Sequence, residues 1–131
     1  MWAQSREAKE VLSYVTIGTN DFERALRFYD ALFTELGGNR SFEAPTGQFY
    51  GFSDGSLFGV FKPADGQAAT GGNGTMFAFK VESPERVADV YGKAIGFGAT
   101  DEGQPGPRGD RGFYASYIRD PDGNKLCIYH M

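Results

Sequence analysis

The chain has 131 residues, 40% hydrophobic and 23% charged, with a formal net charge of −4, enough for one domain with its own core. A single cysteine (Cys127) and a single histidine (His130) exclude an internal disulfide, a zinc site of paired cysteines and histidines, and a histidine-rich metal centre. Neither nucleic acid nor membrane is expected as a partner, and the expected location is cytoplasmic: Lys and Arg form no cluster, no apolar run nears the roughly 20 residues of a span, and residues 1–10 lack the apolar stretch of a signal peptide.

In chain order, residues 14–19 alternate, with Val15 and Ile17 on one face and Tyr14, Thr16 and Gly18 on the other, which predicts a strand. Asn20 or Asp21 then caps a helix whose apolar positions Ala25, Phe28, Tyr29, Leu32 and Leu36 recur at helical spacing. Gly37-Gly38 stops it. Short strands follow over 40–44, 49–53 and 57–61, with Asp54-Gly55 as a tight turn. Residues 62–74, polar and glycine-rich, read as a linker.

A second series starts over 76–81, with Phe77, Phe79 and Val81 on one face. Ser83 is a good N-cap and Pro84 suits the first helical position, after which Val87, Val90, Tyr91 and Ala94 make an apolar stripe ended by Gly96 and Gly98. Strands over 99–102, 113–119 and 125–129 complete the series, the last two joined by Asp120-Pro121-Asp122-Gly123-Asn124. The Gly/Pro-rich loop Gly103–Gly112 carries Arg108 and Arg111 and is expected to be mobile, either simply solvated or able to close over the mouth of a site.

The two series are one repeat. At an offset of 62 residues, Asp21-Phe22-Glu23-Arg24-Ala25 falls on Ser83-Pro84-Glu85-Arg86-Val87, and Tyr29 falls on Tyr91. At an offset of 68, Asp54-Gly55 falls on Asp122-Gly123, the difference being taken up in the loop 103–112. Tyr29 and Tyr91 are both expected to pack on a sheet with their hydroxyls reaching outward. The fold class expected is α+β, two tandem βαβββ modules (about 11–61 and 75–130, linker 62–74) in a single domain over 11–130.

This tandem pattern, with Tyr14-Val15-Thr16-Ile17-Gly18, Asp21-x-Glu23-Arg24-Ala25-x-x-Phe28-Tyr29 and Asp120-Pro121-Asp122-Gly123-Asn124-Lys125-Leu126, resembles the vicinal-oxygen-chelate superfamily of glyoxalase I, bleomycin-resistance proteins and extradiol dioxygenases. The resemblance implies sheets that curl into a cup around a cavity, with helices outside. It also implies that metal-dependent members would place ligands at the positions of Tyr14, Gly59, Met76 and Cys127. None of these is a usual ligand for a hard divalent ion, so neither a metal nor another cofactor is expected.

Strand alternation places Tyr14, Thr16, Gly59, Phe61, Met76, Ala78, Lys80, Cys127 and Tyr129 on the cup face, while the opposite parity is apolar. The ligand-binding candidates are therefore Tyr14, Thr16, Phe61, Met76, Lys80, Cys127 and Tyr129, with Lys80 and a rim Arg119 suited to an anionic group. Catalytic candidates are Cys127, Tyr14, His130 and Tyr129, although His130 has the opposite parity to Cys127 and is expected to bond a backbone carbonyl. The expected activity is binding of a small organic molecule in a metal-free cup, by a homodimer that buries open sheet edges. The alternatives are an enzyme of the same family using side-chain chemistry and a protein kept for a protein–protein contact.

Overall fold

Two helices among the described residues each begin on a capping side chain. In the computed structural model, which describes residues 11–131, Asp21 accepts the N–H of Arg24 ahead of α1 (Phe22–Glu35). Ser83 does the same for Arg86 ahead of α2 (Pro84–Phe97), with Pro84 in the first turn. The signal-peptide reading of residues 1–10 lies outside the described residues. Among the described residues no helix is long and apolar enough to cross a membrane.

The strands are β1 (Tyr14–Gly18), β2 (Asn39–Ala44), β3 (Gly47–Gly51), β4 (Leu57–Phe61), β5 (Phe77–Lys80), β6 (Thr100–Pro107), β7 (Tyr114–Arg119) and β8 (Lys125–His130). They form two four-stranded sheets of the same topology, β1-β4-β3-β2 and β5-β8-β7-β6. In each, the first and last strands of the module run parallel and the remaining pairs are antiparallel. The α+β architecture of two tandem βαβββ modules is the one the repeat predicts.

Two elements depart from their expected bounds by more than one residue. The third strand starts at Gly47 rather than 49, because Gly47 and Gln48 pair with Phe61 and Val60 of β4. The sixth strand runs through the expected loop as far as Pro107: Gly103 pairs with Tyr117 and Gly106 with Ala115, and a register shift takes up Gln104 and Pro105 between them. Pairing to β7 overrides the loop-forming composition of this segment.

The modules join through the apolar parity. Ile17, Phe58 and Val60 from the first sheet share one core with Val81, Ile118, Leu126 and Ile128 from the second, together with the buried sides of α1 and α2. Phe58 meets Phe77 and Phe79 at 5.6 and 5.8 Å between ring centroids. Phe58, fully buried, contributes roughly 1.5–3 kcal/mol, and the half-buried Phe77 and Phe79 less. With this parity spent on the common core, the opposite face of each sheet is turned away from it.

A polar clamp crosses the same junction. The Tyr29 hydroxyl donates to Asp120 at 2.6 Å and is wholly buried, which corrects its expected outward orientation. The reason is that the 120–124 turn folds over α1, so a phenol in the core finds a carboxylate there. Asp120 also accepts the backbone N–H groups of Asp122 and Asn124 and the Asn124 amide. Asp122 accepts from Thr19 and Arg24, and the Asn124 amide donates to the Gly18 carbonyl. Tyr91, its repeat partner, does reach outward and donates to Asp101 at 2.8 Å.

Candidate functional site

The outward face of the first sheet is an aromatic plate built around Phe49. Phe42 stacks on it at 4.7 Å, while Tyr14 and Phe61 meet it edge-on at 5.2 Å each. Glycine makes this possible: the Phe61 ring lies across Gly47 and Gly59, and a Cβ at Gly59 would stand 2.6 Å from it. Tyr14 and Phe42 remain 56% and 51% exposed, so much of the plate faces solvent. An aromatic face of this kind offers stacking area and few hydrogen-bonding groups.

The linker walls this plate. Asn20 holds it in place, its side chain accepting the N–H of Ala69 and donating to the Ala69 carbonyl. The result is a hollow of about 760 Å³ floored by Tyr14, Thr16, Phe49 and Phe61 and flanked by Pro63 and Ala69. A second cleft, about 640 Å³, lies where the edge of β1 approaches β5 and is lined by Tyr14, Leu57, Met76, Ala78, Lys80 and Tyr129.

The candidates from the sequence thus divide. Thr16 and Phe61 line the hollow, Met76, Lys80 and Tyr129 the cleft, and Tyr14 both. Arg119 lies in neither, because Glu102 and the Gly123 carbonyl hold its guanidinium at 3.2 and 2.9 Å. Cys127 is buried beneath the outward face of the second sheet, and burial pushes its thiol up, away from the reactive thiolate. The His130 Nδ1 donates to the Val81 carbonyl at 2.8 Å, so the structure does not bring His130 to Cys127.

Several side chains of these faces have only a faint sequence signal. Phe49 and Phe42 belong to the plate because of the register of β2, β3 and β4, which a strand start at 49 hides. Tyr117 faces the same way as Cys127, its partner across the β7–β8 ladder. Arg108 is not on a mobile loop: its guanidinium donates to the Gly106 and Gln104 carbonyls at 2.8 Å each and lies over the Tyr117 ring. The extension of β6 puts those carbonyls within its reach.

A family model for the glyoxalase/bleomycin resistance protein/dioxygenase superfamily matches residues 11–128. The chain belongs to that superfamily. A glyoxalase/bleomycin resistance protein from Albidiferax ferrireducens T118 is 39% identical, with a TM-score of 0.82 over 93% of this chain and 99% of that one. A glyoxalase-related enzyme from Fulvimarina pelagi (22% identity, TM-score 0.76, 94% and 89% covered) shares the fold. So does a lactoylglutathione lyase from Agrobacterium tumefaciens (18%, TM-score 0.70, 95% and 96% covered). No curated protein matches the chain.

The positions at which metal-dependent superfamily members would carry ligands do not fit a divalent ion here. Tyr14 offers a phenol, Met76 a neutral thioether, and Cys127 a buried thiol that is held protonated. Gly59 offers nothing, and its side-chain space is already filled by Phe61. Among the described residues no three His, Cys, Asp or Glu stand close enough to share an ion.

Proposed function

We propose that this superfamily member is a binding protein for a small planar organic ligand, held without metal or other cofactor against the outward sheet faces. The four-ring plate of Tyr14, Phe42, Phe49 and Phe61 beside a walled hollow carries this reading. Residues 11–130 work as one domain, in the cytoplasm and as a homodimer. The dimer is supported by the half-exposed Tyr14, Phe42 and Met76 and by the edge positions of β1 and β5, whose open hydrogen-bonding groups a second copy can cover. Catalysis through Cys127 is the weaker reading, since a buried thiol with a raised pKa and no adjacent imidazole lacks an activated form.

Thermal shift and titration calorimetry with bicyclic aromatics test the proposal. Binding compounds raise the melting temperature, and Tyr14→Ala, an exposed position whose loss leaves the core intact, weakens them on the order of tenfold. A panel that produces no shift removes the ligand-binding reading and leaves a protein–protein role. Sedimentation of the full chain checks the dimer, and a monomer at all concentrations removes that part.

A further inference from the structure

The outward face of the second sheet differs in charge from the aromatic plate. It presents Lys80, Arg119 and Lys125, with Arg108 laid across it, in a protein whose formal net charge is −4. Arg119 is paired with Glu102, whereas among the described residues Lys80, Arg108 and Lys125 make no ion pair with a carboxylate. Arg119 and Lys125 are also direct partners across the β7–β8 ladder. Like charges placed opposite one another cost stability, a cost that Glu102 relieves for Arg119 and that no carboxylate among the described residues relieves for Lys125.

Arg108, from the β6 side, and Lys125, from the β8 side, both lie against one ring of β7. The Arg108 guanidinium lies 5.4 Å and the Lys125 ammonium 5.2 Å from the centroid of Tyr117. Two glycines of β6 make room for the arginine: a Cβ at Gly103 would stand 3.3 Å from one terminal nitrogen, and one at Gly106 would stand 3.2 Å from the other. With the Gly106 and Gln104 carbonyls each taking one N–H, the guanidinium is fixed in place and still has donors to spare. Cys127 does not neutralise this charge, because burial keeps its thiol protonated.

We propose that Arg108 and Lys125, gathered over Tyr117, form an anion site that takes the carboxylate of a planar organic acid. A carboxylate at the outer edge of Tyr117 takes a charge-assisted hydrogen bond from either flanking cation, and the Tyr129 ring on the same sheet face is left for the ligand's plane. The inference rests on the reading that these faces bind a planar ligand, and it adds the ligand's charge.

Calorimetry at pH 7 and low salt with 2-naphthoate, its neutral isostere 2-naphthamide, and inorganic phosphate tests it. The acid binds on the order of tenfold more tightly than the amide, and added salt narrows that gap. Arg108→Gln and Lys125→Gln each weaken the acid by a similar factor and leave the amide unchanged, which also shows that the variants are folded. Arg27→Gln, which removes the same charge from an exposed position on α1, changes neither. Equal binding of acid and amide, unaffected by Arg108→Gln and Lys125→Gln, overturns the anion site and leaves the binding function standing. Phosphate as tight as the acid overturns the planar requirement, and no binding by any probe overturns both proposals.

Discussion

Asp54-Gly55 in the first module and Asp122-Gly123 in the second occupy the same place in the repeat, and both glycines sit at φ 92°. Their surroundings differ. Asp54 caps its own turn in solvent, accepting from the backbone and hydroxyl of Ser56. The second turn is instead the clamp between modules, where Asp120 receives Tyr29 and Asp122 receives Thr19 and Arg24. One backbone solution therefore serves a solvated hairpin in one module and a buried junction in the other. The sheet faces diverge in the same way, aromatic on the first module and cationic on the second. A repeat transmits backbone geometry, while the side chains around it decide what each copy does.

The two turns can be separated by mutation. Asp120→Ala leaves a buried phenol, an amide and two backbone donors without their acceptor, and is expected to cost about 3 kcal/mol or more in urea denaturation. Asp54→Ala, in an exposed turn, is expected to cost less than about 1 kcal/mol. Equal losses would mean that the turns are equivalent after all.

The matched positions Gly59 and Cys127 give the next largest contrast. Gly59→Ala drives a methyl into the Phe61 ring and is expected to cost about 1–3 kcal/mol and to disturb the aromatic plate. Cys127→Ala removes one buried atom and is expected to cost about 1 kcal/mol. A Gly59→Ala protein as stable as the parent would show that Phe61 is free to move aside.

The smallest expected effect is in alkali. Burial, and then Asp120, raise the Tyr29 pKa well above 10.0. Because the folded value is the higher one, the contribution of Tyr29 is fully present below the ordinary phenol value. It is lost as pH rises from there, where the unfolded chain ionises first. Tyr50, in the first module, is also raised, by burial and by its bond to Asp30, but it is less enclosed. Stability measured between pH 9 and 11 should fall less steeply in Tyr29→Phe and in Tyr50→Phe than in the parent, and by a similar amount, since both phenols stay protonated in the fold over that range; a variant as steep as the parent would show that its phenol ionises in the fold as easily as in the unfolded chain.

Much of this is legible in the residues themselves. The caps Asp21 and Ser83, the helical stripes and the alternation of Val15 and Ile17 or Phe77 and Phe79 are local patterns, and local patterns are written in neighbouring residues. Strand register is not local. Gly103 and Gly106 look like loop residues until β7 pairs with them, and only that pairing fixes Arg108 over Tyr117. The linker likewise shows its composition but not its attachment, which depends on Asn20 reaching Ala69.

The sequence by itself determined the repeat, the α+β class, which parity of each strand is apolar, and the chemistry of the positions where relatives would carry a metal. Tertiary structure alone decided that Tyr29 is buried while its repeat partner Tyr91 is not, and that one Asp-Gly turn is a clamp and the other a solvated hairpin. The physical reason is range. Helical spacing and strand alternation act over a few residues, whereas Thr19 and Asp122 meet only when two finished modules pack through their apolar faces, and that packing sets which polar groups are enclosed and which face a ligand.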